Sequence, residues 1–295
     1  MKSIDEYLDT LEEKLRGSDP ATIKDARSDA EEHLRTAIDN LKDHNSEMSD
    51  SEALSVCIED YGTPEEIASA YKQVEDYLIP MYPSRKSVGR TSSWGKVFGI
   101  VADPRAWGSM LYMFLSLLTG IVYFTWAITG VSLSVSLSIL IFGIPVAILF
   151  LLSVRGLSFL EGRLVEGLLG VQMPRRMSFT HPDMKLIDRL KNLATDRYTW
   201  FSILYMILLL PLGVVYFTLE IVLISLALGV IAIPIVQTIF SQPTIYINSG
   251  VYYFPVWSYP FVIVGGILIF LGTMHLSKLI GYLHGRFAKA LLVGS

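Results

Sequence analysis

Cysteine occurs once in the 295 residues, at Cys57. No disulfide can form within the chain, and a reduced thiol on a cytosolic face is expected. The ordinary role of such a residue is a small buried hydrophobe. Charge is scarce as well, at 18% of residues against the usual ~25%. Between Arg105 and Arg155 lie 49 residues without one Asp, Glu, Lys, Arg or His. Between Arg197 and Lys278 lie 80 residues whose only such groups are Glu220 and His275. A soluble helix carries polar residues every second turn, so a single soluble domain is excluded. Also missing are a nucleophile–base pair, a P-loop, a Gly-rich dinucleotide turn and a Cys/His ligand set. Neither enzymatic activity nor a cofactor or metal site is therefore expected. No apolar leader opens the chain, since Met1-Lys2-Ser3-Ile4-Asp5-Glu6 is acidic and amphipathic, which predicts a cytosolic N-terminal region.

The charges that are present divide the molecule. Residues 1–79 hold 21 Asp/Glu against 8 Lys/Arg, whereas the remainder holds 7 against 16. The net charge of −4 is thus the difference between a −13 head and a +9 body. A domain of that charge attracts basic partners and repels nucleic acid, so direct DNA binding is not expected.

Helix signals subdivide the head. Ser3-Ile4-Asp5-Glu6 is a capping box followed by Tyr7, Leu8, Leu11 and Leu15 at helical spacing up to Gly17. Ser18-Asp19-Pro20 opens a second helix through Ile23, Ala26, Ala30, Leu34 and Ile38. Ser49-Asp50-Ser51-Glu52 begins a third, which Tyr61-Gly62 ends, and Thr63-Pro64-Glu65-Glu66 starts a fourth. The order of the Tyr7–Leu15 helix, Asp29-Ala30-Glu31-Glu32-His33-Leu34 and Tyr61-Gly62-Thr63-Pro64-Glu65-Glu66-Ile67-Ala68 resembles the HAAS domain. That domain is a cytosolic helical module of bacterial and archaeal membrane proteins. The resemblance implies a PadR-type winged-helix transcription regulator as partner, and it makes Glu31, Glu32, Tyr61, Gly62, Pro64, Glu65 and Glu66 the candidate contact residues. The plainer reading of Glu31, Glu32 and His33 is a solvated helix face.

Residues 80–105 read as a basic tether, carrying Arg85, Lys86, Arg90 and Lys96 among prolines, glycines and serines. These cations either sit on anionic lipid headgroups or act only as a positive-inside signal.

The apolar body repeats itself. Positions 107–125 match 200–218 at 12 of 19 residues, including Trp107/Trp200, Tyr112/Tyr205, Gly120/Gly213 and Tyr123/Tyr216. Ile144-Pro145 matches Ile233-Pro234, and Gly162-Arg163 matches Gly285-Arg286. A tandem duplication follows, with each copy a span, a return and an interfacial helix (106–174 and 199–295) around a cytosolic loop at 175–198. Since a bilayer core of ~30 Å takes about 20 helical residues, spans are placed near 106–129, 132–154, 199–220 and 259–277. Counting cations puts both termini in the cytosol of a multi-pass cell-membrane protein. Residues 221–240 are read as a re-entrant or broken helix reaching Pro234. Leu157, Leu160, Leu164 and Leu168 form one stripe, leaving Arg155, Glu161, Arg163 and Glu166 to face elsewhere. The run Glu161-Gly162-Arg163 through Leu168-Leu169-Gly170 and Pro174, with the duplicated spans and Asp196-x-x-x-Trp200, resembles the "putative sensor" membrane domain. Gly162 between Glu161 and Arg163 departs from its pattern.

The expected fold is all-α: a small helical bundle plus a duplicated polytopic unit of about four spans. The expected function is a membrane sensor or regulator, with a transporter or ABC-permease component as the alternative. Sensing candidates are Glu220, Tyr246, Tyr253 and Trp257. Glu220 either takes a cation or proton or is a solvated residue near the outer end of its span. The outer residues form a hairpin around Asn248-Ser249-Gly250, whose aromatics either line a ligand site or form an interfacial belt. His275 and His284 are read as ordinary residues of the inner interface. Membrane lipids are implied partners, and neither a monomer nor a homo-oligomer is excluded.

Overall fold

The computed structural model describes residues 3–44, 48–78, 98–137, 143–175, 191, 193–240, 245–247 and 250–293. The tether at 80–97 and the loop residues 176–190 lie outside these.

Four helices form the head: α1 (Ile4–Lys14), α2 (Pro20–His44), α3 (Asp50–Tyr61) and α4 (Pro64–Leu78). Their starts are those the caps predict. Ser3 Oγ accepts from the Glu6 amide at 3.2 Å. Ser49 and Glu52 make a reciprocal capping box, and the Glu66 carboxylate accepts from the Thr63 amide at 2.8 Å. Leu8, Leu11, Leu15, Leu34, Leu54 and Cys57 fill the core. The Tyr7 hydroxyl donates to the Gly62 carbonyl at 2.8 Å. At φ +114° Gly62 occupies a conformation that a side chain would strain.

Among the described residues, the body has four helices long and apolar enough to cross a membrane. These are α5 (Pro104–Leu137), α6 (Gly143–Leu169), α7 (Arg197–Phe240) and α8 (Tyr259–Leu292). All exceed the expected spans. α6 runs unbroken into the Leu157–Leu169 segment, so the stripe belongs to a bundle helix and not to a separate interfacial one. α7 likewise continues through Pro211 and Pro234 to Phe240, which corrects the re-entrant reading of 221–240. Each proline removes one amide and leaves the carbonyl four residues earlier without its donor, but in an apolar setting the remaining backbone groups still gain by pairing within the helix. Pro145 lies at the start of α6 whereas Pro234 lies in the last two turns of α7, so that sequence match has no structural counterpart.

α5 and α7 meet at a crossing without spare room. A Cβ on Gly120 would stand 2.9 Å from the Leu209 carbonyl oxygen, and one on Gly213 would stand 2.4 Å from the Ser116 carbonyl oxygen. Both glycines therefore serve close backbone approach. A short antiparallel hairpin, β1 (Ile245–Ile247) and β2 (Gly250–Tyr252), joins α7 to α8, with Tyr246 opposite Val251. This is the expected hairpin, with its second strand beginning at Gly250.

Candidate functional site

The ends of α5 and α7 nearest the head are built alike. Asp103 accepts from the Arg105 amide at 3.0 Å, and Asp196 accepts from the Tyr198 amide at 3.2 Å. Trp107 Nε1 donates to the Val101 carbonyl, and Trp200 Nε1 donates to the Ala194 carbonyl. Each aspartate then holds a cation from the other helix pair. Lys278 of α8 pairs with Asp103, and Arg155 of α6 pairs with Asp196 at 2.6 Å. Residues 93 apart in α5 and α7, and 123 apart in α6 and α8, thus make the same contact twice.

Two turns further into the bundle these matching positions carry a buried polar cluster. The Tyr112 hydroxyl donates to Glu161 Oε1 at 2.6 Å, and the Tyr205 hydroxyl donates to the same oxygen at 2.9 Å. Both hydroxyls also contact His284 Nε2, at 2.7 Å and 3.0 Å, and they lie 3.3 Å from each other. Tyr216 reaches His284 Nδ1 at 3.3 Å, and its counterpart Tyr123 extends toward Glu161. Glu161 is 0% exposed and His284 1%. Glu161 Oε2 is buried without a hydrogen bond of ordinary geometry. Counting from Gly162/Gly285, Glu161 and His284 also occupy matching places, so a carboxyl group and an imidazole face each other across two tyrosines.

This cluster corrects two expectations. Glu161 does not face away from the bundle, because the tyrosines of α5 and α7 supply donors that make its burial tolerable. His284 is an interior residue and not an interfacial one. The sequence signal was present in two identical tyrosine pairs inside otherwise apolar spans.

Glu220 is not brought together with Tyr253 and Trp257. Glu220 is buried at 0% exposure and accepts from Ser277 Oγ at 2.8 Å, while its Oε1 is buried without a hydrogen bond. It does not lie near an outer helix end, because α7 continues for 20 more residues, about 30 Å at 1.5 Å each. Ser277 is 18 residues into α8, about 27 Å from the loop that carries the aromatics. There Tyr253 and Trp257 are 58% and 73% exposed. Gln237 Oε1 anchors this loop by accepting from the Phe254 amide and the Tyr259 hydroxyl. The side chain of Tyr246 lies outside the described residues.

Several head candidates serve the head itself. Glu31 pairs with Arg35 at 2.9 Å, and Glu65 pairs with Lys14 at 2.6 Å. The Lys14 ammonium holds the Glu65 carboxyl below its usual range. Tyr61 stacks on His33 and donates to Asp29, Pro64 is buried at the start of α4, and Glu66 returns to Thr63. Glu32 is exposed.

A different face of the head rests on the membrane unit. Lys289 Nζ of α8 donates to Asp19 Oδ1 at 2.6 Å. Gln172 Nε2, just beyond α6, donates to Thr22 Oγ1 at 3.1 Å, and the Arg175 amide donates to Asp25 Oδ1 at 2.7 Å. Lys24 lies 3.7 Å above the Tyr198 ring of α7. A cavity of about 220 Å³ remains in the seam, between Asp25, Tyr71, Glu75, Gln172 and Arg175.

A sequence-family model described as "Putative sensor" matches residues 112–292, more than half of the chain. The match begins at Tyr112, spans the four-helix unit with its polar cluster, and leaves the head outside. Comparison with curated proteins and with solved structures gives no match.

Proposed function

The chain belongs to the "Putative sensor" family, and from this we propose that it is a multi-pass cell-membrane protein relaying a stimulus from its membrane unit to a cytosolic partner. One observation carries the reading. The helices that supply Glu161 and His284 also hold the head: α6 leads into Gln172 and Arg175, and α8 carries Lys289 five residues after His284. A change of packing at the cluster reaches the seam through about one and a half helical turns of α8.

We read the matching stretches as a tandem duplication, with both termini in the cytosol. The −13 charge of residues 1–79 suits a basic partner, and the HAAS-like pattern favours a PadR-type winged-helix regulator. The seam engages Asp19, Thr22, Lys24 and Asp25, none of which belongs to the HAAS-like contact residues. Pull-down with segment 1–79, its helicity checked by circular dichroism, is expected to recover a small basic winged-helix protein. Consistent failure with folded bait refutes the partner assignment. With the full chain, Lys289→Glu is expected to change the amount of partner recovered, and an unchanged amount refutes the relay.

A further inference from the structure

Hydrogen-bond accounting at the cluster leaves protons to assign. The hydroxyls of Tyr112 and Tyr205 bring two protons to four short contacts, two with Glu161 Oε1 and two with His284 Nε2. When both hydroxyls donate to the carboxylate, Nε2 has to bear a proton and donate in turn. With His284 neutral and Glu161 ionised, the cluster would carry one uncompensated negative charge. Such a charge among apolar helices is expensive, and no cation pairs with Glu161 among the described residues. One further proton removes that charge. It sits either on the carboxyl group, leaving the imidazole neutral, or on the imidazole, giving a carboxylate and an imidazolium separated by two hydroxyls.

We propose that Glu161 and His284 form a single proton-binding site, in which one acidic proton resides on either side of the tyrosine pair and is the stimulus of the membrane unit. The groups facing it are Tyr112 and Tyr123 from α5, Glu161 from α6, Tyr205 and Tyr216 from α7, and His284 from α8. The transfer between the two forms balances without another reactant. The Nε2–H bond of the imidazolium breaks and its proton goes to the Tyr112 oxygen. The original Tyr112 proton goes to Glu161 Oε1 and makes the carboxylic O–H bond. Both charges vanish, Tyr112 ends as a neutral hydroxyl donating to Nε2, and the Glu161 hydroxyl donates to the Tyr112 oxygen. The contacts of 2.6 Å and 2.7 Å at Tyr112 need only these exchanges of donor and acceptor. In the ionic form Nδ1 donates to Tyr216, a bond that the neutral Nδ1–H tautomer keeps.

The site deepens the relay reading, and the two are tested apart. The full chain in lipid nanodiscs is titrated while infrared difference spectra follow the carboxylic acid carbonyl band. A band that titrates in the native protein and is lost in Glu161→Gln is expected. Its midpoint is expected to move by about one pH unit or more in His284→Gln, the mark of coupled groups. In Tyr112→Phe/Tyr205→Phe the band is expected to remain while its dependence on His284 disappears. Tyr112→Phe alone, which removes the shorter contacts to Glu161 and His284, is expected to weaken the same dependence if the double variant fails to insert, and an unchanged dependence there overturns the transfer route. Absence of any titrating Glu161 band overturns the site, and so does a midpoint indifferent to His284. Neither result touches the partner pull-down, so site and relay fail separately.

Discussion

Lys24 offers a quantitative test of the seam. Its ammonium lies over Tyr198, near Asp196 and Arg155, all of them residues of the membrane unit, so docking is what buries it. Burial pushes the group down from 10.5 to about 8; Arg155 adds to the fall and Asp196 opposes it. At about 1.4 kcal/mol per unit, holding the charged lysine in the seam costs about 3 kcal/mol. The cation–π contact returns about 1 kcal/mol. The lowered value fixes the sign of the pH effect. Below pH 8 the docked lysine stays charged and the cost is present in full. As pH rises from about 8 toward 10.5 the docked form gives up its proton first, and docking strengthens. Lys24→Met keeps the stem and deletes the charge, so the docked state should gain about 2 kcal/mol, roughly thirty-fold in the docking equilibrium at neutral pH. Pulsed EPR on the full chain in nanodiscs reads this directly, with labels at Asp39→Cys on α2 and Gly167→Cys on α6 in a Cys57→Ala background. The native protein should show a growing short-distance population across that window, and Lys24→Met a large population without the pH dependence. A docked population that shrinks as pH rises, or that falls in Lys24→Met, refutes the reasoning.

The same labels test the ion pair at the far side of the seam. Lys289→Glu places two carboxylates together and should release the head, and adding Asp19→Lys should restore the short distance. Gly213→Ala pushes a methyl group to 2.4 Å from the Ser116 carbonyl oxygen, and overpacking of this kind costs about 1–3 kcal/mol. Thermal unfolding in detergent should show the loss, while Gly265→Ala, whose added Cβ meets nothing within 4 Å, should melt like the native protein.

Local signals carried far in this chain. Ser3, Pro20, Ser49 and Thr63 mark helix starts through their own chemistry, which depends on residues three or four positions away. The four apolar helices and the hairpin are equally local facts. What eluded sequence reasoning depends on neighbours distant in the chain. Glu161 falls about 40° from Leu157 and about 20° from Leu168 on a helical wheel, beside the apolar face, yet a lone carboxylate there reads as solvent-facing because its donors lie on other helices. Only the donors of Tyr112 and Tyr205 make the inward position tolerable. Pro234 reads as a helix breaker when judged by propensity, but in an apolar surrounding the remaining backbone bonds outweigh one missing amide. The clearest overlooked clue was that two identical tyrosine pairs recur beside a glutamate and a histidine at matching positions.

The crossing at Gly120 and Gly213 has a mechanical consequence. Two helices pressed together at carbonyl contact cannot slide past one another, yet they can still rotate about the point where they touch. That point is a fulcrum, and the helix ends beneath the head are its lever arms. Tyr198 lies fifteen residues from Gly213, an arm of about 22 Å. A rotation of about 5° at the fulcrum swings that end by about 2 Å, by the same helical geometry. Such a displacement is more than half of the 3.7 Å between the Lys24 ammonium and the Tyr198 ring, so a tilt too small to disturb the bundle is large enough to weaken the head's contact with α7.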